Sequence, residues 1–282
     1  MDARISQISL RSAALSVADL VLPRVCVVCG RTLLPRETHV CTACAADLPR
    51  TFFAGQRDNP MALAFNALVE RELGGSHGVD TPSGACSLPT TQPFSYAAAL
   101  FYYRGDSPYS LIPQALKYDR NFGAGRYFAR MLGRELAASS LFADVDAILP
   151  VPLHWLRQWR RGYNQAEVIA KGIAEELKGG AEASGSPAPP VLTRVLKRVR
   201  RTRTQTRLDA GGRYANVHSA FVADGKVLGK PLHLLLVDDV FTTGATLLAC
   251  ERALRRALTE TLGPEAASRV RISVATLAYV GR

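Results

Sequence analysis

Two adjacent aspartates, Asp238 and Asp239, end the apolar run Leu234 to Val237, and Thr242-Thr243-Gly244-Ala245-Thr246 follows after Val240 and Phe241. The small hydroxyls and closely spaced backbone N–H groups of Thr242, Thr243, Gly244, Ala245 and Thr246 suit the dianion of a phosphomonoester at a helix N-terminus, and Gly244 lets the backbone approach closely. The carboxylates of Asp238 and Asp239 cannot face that phosphate without repulsion. They suit vicinal sugar hydroxyls, from which they would accept hydrogen bonds, or the support of Mg2+. Phosphate beside carboxylates implies a sugar phosphate.

A second constellation lies near the start of the chain. Cys26-x2-Cys29 and Cys41-x2-Cys44 are separated by eleven residues, with Gly30 placed to turn the first knuckle. Such pairs bring four thiolates around a tetrahedral Zn2+, and a segment this short needs the metal because it cannot bury enough apolar surface alone. Two disulfides are the alternative, disfavoured because no secretory signal is apparent and a reducing compartment is expected. His39 is a weaker candidate for one ligand position. Chelation is expected to melt this module and leave the remaining domain standing. Cys250, in a helical pattern, reads as a small buried hydrophobe, and Cys86 lies in a Gly/Pro/Ser-rich stretch.

The elements that must position these groups follow from hydrophobic periodicity. Leu234 to Val237 is too short and too uniformly apolar for an amphipathic helix and reads as a strand buried on both faces of a parallel sheet, whose carboxyl end is where ligands bind. Ala97 onward, Ala147 to Val151 and Ile272 to Leu277 read as further strands. Leu111 to Leu136 and Gln165 to Leu177 have helical spacing, and Gly179 to Pro190 reads as a surface loop. Strands alternating with helices predict a doubly wound α/β sheet. Three parts are expected: residues 1–53 with an N-terminal helix and the cysteine module, a flexible insertion or linker over 54–92 that holds a short helical pattern from Met61 to Leu73, and the α/β domain over 93–282.

With 282 residues, 48% of them hydrophobic, the chain can fill a substantial core. No apolar run has the length of a membrane span, so no insertion is expected and a cytoplasmic location is inferred. The formal net charge of +11 implies affinity for polyanions, whether a pyrophosphate or a nucleic acid backbone. Arg194, Lys197, Arg198, Arg200, Arg201, Arg203 and Arg207 concentrate that charge in one run without an acid.

The segment from Val237 to Thr246 resembles the signature of type I phosphoribosyltransferases, which holds the ribose and 5′-phosphate of 5-phosphoribosyl-1-pyrophosphate (PRPP). Together with the cysteine pairs, nearly the whole chain resembles the ComF family of competence proteins, in which a four-cysteine zinc module precedes a phosphoribosyltransferase domain. The likeness runs through Leu48-Pro49, Leu111-Ile112 and Leu116-Lys117-Tyr118 to Pro150-Val151-Pro152-Leu153-His154 and Arg161-Gly162-Tyr163-Asn164-Gln165. It continues through Arg198, Thr202, Gln205, Leu208, Arg213, Asn216-Val217 and Phe221. The stretch from Ala54 to Gln92 is longer than the family usually carries.

The resemblance implies a type I phosphoribosyltransferase-like fold with bound PRPP, Mg2+ and a structural Zn2+. Asp238 and Asp239 would hold the ribose hydroxyls and Thr242 to Thr246 the 5′-phosphate. Arg160 or Arg161, with Asn164 and Gln165 in the same loop, would meet the pyrophosphate, for which an arginine fork is suited; a solvated turn is the alternative. Lys117 is a weaker pyrophosphate candidate. Arg194 to Asn216, including Arg198, Gln205 and Arg213, would be a mobile loop closing over PRPP, hinged at Gly211 and Gly212.

Two functions fit. One is an enzyme displacing pyrophosphate at C1 of PRPP by a nitrogen nucleophile, with Asp238, Asp239 and Arg161 in the catalytic set and the acceptor open. The other is a non-catalytic protein of natural competence that uses the pocket as a sensor and binds single-stranded DNA or competence-machinery proteins.

Overall fold

The computed structural model describes residues 23–75, 92–118, 121–153, 162–184, 188–199 and 220–281. Its centre is a four-stranded parallel sheet made of β1 (Ala97–Tyr102), β2 (Ala147–Pro150), β5 (His233–Phe241) and β6 (Arg271–Tyr279), in the spatial order β1-β6-β5-β2. The expected α/β fold is thus present. A separate antiparallel ribbon pairs β3 (Leu196–Arg198) with β4 (Phe221–Ala223), Arg198 opposite Phe221.

Leu234 to Val237 are fully buried because both faces of β5 are covered. Leu234 and Leu236 enter one core with helices α2 (Pro60–Gly75) and α6 (Ala245–Leu262); Leu235 and Val237 enter the other with α3 (Leu111–Tyr118), α4 (Phe122–Ala137) and α5 (Gln165–Ser184). Short helices α1 (Thr42–Ala46) and α7 (Pro264–Arg269) complete the set. No helix among the described residues is long and apolar enough to cross a membrane.

Several boundaries differ from the periodicity. The helical run after Leu111 breaks where Asn121 accepts a hydrogen bond from Ala124 N–H at 3.0 Å and caps α4. Helix α5 runs on to Ser184, through part of the expected surface loop; Gly179 and Gly180 cost about 1 kcal/mol each relative to alanine, which flanking helix formers outweigh. The first part of the segment read as an insertion is folded. Met61, Ala62 and Phe65 of α2 are fully buried, and Asn59 caps the helix while its Nδ2 donates to Ala97 O at 2.8 Å. Residues 76–91, Cys86 among them, and the N-terminal helix expected before residue 23 lie outside the described residues.

The amino end of the sheet carries a Ser–His–Asp chain. His233 lies 2.7 Å from Asp144 Oδ1 through Nδ1 and 2.7 Å from Ser273 Oγ through Nε2. Ser273 is fully buried and also accepts from Tyr96 N–H at 3.1 Å. With no access for a substrate, the chain works as a strap joining the amino ends of β5 and β6 to the residue before β1.

Candidate functional site

The cysteine module folds as its spacing predicts. Gly30, at φ +70°, turns the first knuckle, and its N–H donates to Cys26 O at 2.9 Å. Cys26 Sγ accepts from Cys41 N–H and Cys41 Sγ from Cys44 N–H, each at 3.4 Å. Tetrahedral Zn–S bonds of about 2.3 Å separate sulfurs by about 3.8 Å. The Cys29 and Cys41 sulfurs are 3.8 Å apart, and all four lie within 4.8 Å of one another, so the cluster fits a tetrahedral zinc ion. Burial pushes the Cys26 thiol up, but N–H groups of Cys41, Cys29 and Val28 outweigh it and bring it down to about 7. Burial and the neighbouring thiols raise Cys44. A bound cation would oppose the rise at Cys44 by stabilising the thiolates. His39 is not in the cluster; its ring packs edge-on against Tyr127 at 5.9 Å.

Glu37 supports the loop between the cysteine pairs. Its carboxylate accepts from Leu34 N–H at 2.8 Å and from Thr42 N–H at 2.6 Å, which hold it down at about 2, against an ordinary value of 4.5. This stability is present at neutral pH and is lost as pH falls from about 4.5 through about 2. Glu37→Gln should therefore melt earlier than wild type at neutral pH and show a shallower loss toward acid. Superimposable melting-versus-pH profiles would remove Glu37 from the loop's support.

The second site is at the carboxyl end of β5, and the acidic pair belongs to the strand itself. Asp239 N–H donates to Asp238 Oδ1 at 2.8 Å, while Lys117, in the last turn of α3, pairs with Asp239 Oδ2 at 2.7 Å. Burial and then the neighbouring Asp239 charge lift Asp238 to about 7, with Lys117 and Arg198 pulling the other way. Past the strand, Gly244 takes φ +74° as the N-cap of α6. A Cβ there would lie 2.8 Å from Leu68 Cδ1 and 2.9 Å from a Phe241 ring carbon, so only glycine fits. No side chain caps α6, and the Thr243 hydroxyl reaches Ala245 N–H only at 3.5 Å. The helix thus keeps its first N–H groups and positive dipole end for an acceptor.

Of the residues singled out from the sequence, the structure brings together Asp238, Asp239, Lys117 and the turn Thr242, Thr243, Gly244, Ala245 and Thr246, with the charge of Arg198 close enough to act on Asp238. Arg198 also lies over the Phe221 ring at 5.1 Å. Asn164 is occupied with backbone, donating to Val151 O at 3.0 Å and accepting from Ala166 N–H at 3.1 Å, which ties β2 to the start of α5. Gln165 is 2% exposed, and its Nε2 has no hydrogen-bond partner among the described residues. Arg160, Arg161, Gln205, Arg213 and the hinge glycines 211 and 212 lie outside the described residues. Leu68 and Phe241, which press on the Gly244 turn, were not legible as site residues, because apolar positions carry no chemical signal. Cys250 is buried, as expected.

Comparison with known proteins places this chain in a family. Competence protein F of Haemophilus influenzae is 36% identical over 153 residues, covering 53% of this chain and 62% of that protein. The DNA utilization protein YhgH of Salmonella typhimurium is 30% identical over 241 residues, covering 84% of this chain and 93% of that protein. YhgH of Escherichia coli K12 is 26% identical over 240 residues, with the same coverage. No protein-family model and no solved structure matches the chain. Since the Salmonella relative is matched along nearly its whole length, the chain belongs to the ComF family, that of competence protein F and the DNA utilization protein YhgH.

Proposed function

We propose that this protein handles DNA, as the name of its YhgH relatives states for them, through a PRPP-type pocket at the carboxyl end of β5. The observation that carries the pocket is the N-terminus of α6, which its glycine cap leaves without a capping side chain, placed just beyond the Asp238–Asp239 pair. The N–H groups at Gly244 to Thr246 and the hydroxyls of Thr242 and Thr243 hold the 5′-phosphate, and the two carboxylates accept from the ribose hydroxyls. Lys117 holds Asp239 in place, and Lys117 and Arg160 or Arg161 are the candidates for meeting the pyrophosphate. Mg2+, when bound with PRPP, supplies charge neutralisation for the leaving pyrophosphate. Residues 1–53 hold a structural Zn2+, and 93–282 form the ribose-phosphate domain.

A second reading, a non-catalytic binder of single-stranded DNA, rests on the acid-free basic run from Arg194 to Arg207. Calorimetric titration with PRPP and Mg2+ tests the pocket. Saturable binding, absent when PRPP is replaced by ribose alone, is the expected result. No heat at any PRPP concentration would leave the polyanion-binding reading as the function of this fold.

A further inference from the structure

We infer that the edge of β1 carries a base-stacking site for single-stranded nucleic acid, formed by Phe52 and Tyr102 with Arg50 behind the first ring. It rests on the DNA-handling part of the proposal above and not on the PRPP pocket. Phe52 is the one non-glycine residue with positive φ among the described residues, at φ 54° and ψ 27°. That conformation is strained for a residue with a Cβ. The strain secures a definite arrangement. Thr51 and Phe53 on either side are buried at 5% and 2% exposure, whereas Phe52 is turned outward and is 56% exposed.

The neighbours hold it there rather than leaving it loose. Thr51 N–H donates to Leu100 O at 3.1 Å and Tyr102 N–H to Pro49 O at 2.8 Å, so residues 49–51 are pinned along β1. The Arg50 guanidinium lies over one face of the Phe52 ring at 4.8 Å and is fixed by its Nε, which donates to Glu135 Oε1 at 2.9 Å. Tyr102, at 39% exposure, presents a second ring, braced edge-on by Phe53 at 5.6 Å and Tyr279 at 6.2 Å. An aromatic face backed by a cation binds any base by stacking and cation–π attraction, without reading its identity. Phe241 continues the braced rings from Tyr279, at 5.8 Å, to the Gly244 turn. These rings supply the aromatics that the basic run lacks, and the +11 net charge favours a polyanion over an acidic-poor protein surface.

Fluorescence anisotropy with labelled oligo(dT) tests the site in the full-length protein. Phe52→Gly removes the ring and relieves the positive φ, so its melting temperature should stay level or rise. Its affinity for oligo(dT) should fall about 5- to 140-fold with an unchanged salt slope, because a lost stacking contact releases no counterion. Phe52→Trp should retain binding, with indole emission quenched on addition of oligo(dT), and an oligonucleotide lacking bases should bind wild type and Phe52→Gly alike. Wild-type affinity in Phe52→Gly would overturn the stacking site while leaving DNA handling intact, and would mark the patch as a protein contact. Absence of any oligonucleotide binding by wild type would overturn the DNA-handling part itself, and the stacking site with it.

Discussion

Asp238→Asn/Asp239→Asn should lose PRPP affinity by about 150- to 20,000-fold and melt no earlier than wild type. Hydrogen bonds to a charged acceptor are worth about 1.5–3 kcal/mol each, and two of them together set that range. The stability half of the expectation comes from the unliganded site. Two carboxylates adjoin at a half-buried strand end, where burial and mutual repulsion raise Asp238 from 3.8 to about 7. Neutral amides of the same shape remove that repulsion, and the exposed part of the lost Lys117–Asp239 pair is screened by solvent. Because the folded value lies above the unfolded one, the native protein holds the extra proton between about 4 and 7, and wild-type stability falls as pH rises across that window. Affinity for PRPP should move oppositely, rising through pH 7 as Asp238 ionises, whereas the double variant should show neither trend. Calorimetric titration and thermal melting at a series of pH values measure both. Retained affinity in the double variant would refute the assignment of the ribose site.

The acidic pair and its turn were legible in the sequence because three independent patterns coincide within a few residues: a uniformly apolar strand, a reversal of polarity, and a glycine where the backbone must take positive φ. The cysteine cluster was legible for a similar reason, since its spacing alone constrains four sulfurs. What periodicity could not reveal is how distant segments meet. Lys117 reads as an ordinary solvated lysine until α3 is packed against the sheet, which brings its ammonium onto Asp239. The helix from Pro60 to Gly75 shows in the sequence as a helical pattern over Met61 to Leu73, but its place in the core was obscured because its buried residues, Met61, Ala62, Phe65 and Val69, precede a stretch whose composition signals a linker. Phe52 gives no signal at all, because positive φ at a residue other than glycine is imposed by what its neighbours bury. The continuation of α5 through two glycines shows local propensity outweighed by the rest of the helix.

The packing of the cysteine module changes what metal removal should do. As a separate unit it would melt alone, yet Cys26, Val28, Leu33, Val40, Cys41 and Leu48 share one core with Ile112, Phe128 and Leu132 of the α/β domain. The Tyr109 hydroxyl also donates to Cys44 O at 3.1 Å, and the backbone of residues 49–51 is bonded to β1. Apparent binding free energies for structural zinc are about 10–16 kcal/mol, as large as the whole stability of an ordinary domain. Loss of even about 5 kcal/mol should lower the melting temperature of a chain of this size by about 10–20 °C. A strong chelator should therefore release one zinc per chain and shift the main calorimetric transition downward as a single event, and Cys41→Ser should reproduce the shift without chelator. A high-temperature transition left in place after complete zinc release would show that the sheet stands without the module. Purified protein lacking stoichiometric metal, and unaltered by the chelator, would mean that the four thiols pack against α3 and α4 without an ion, and the zinc assignment would fall.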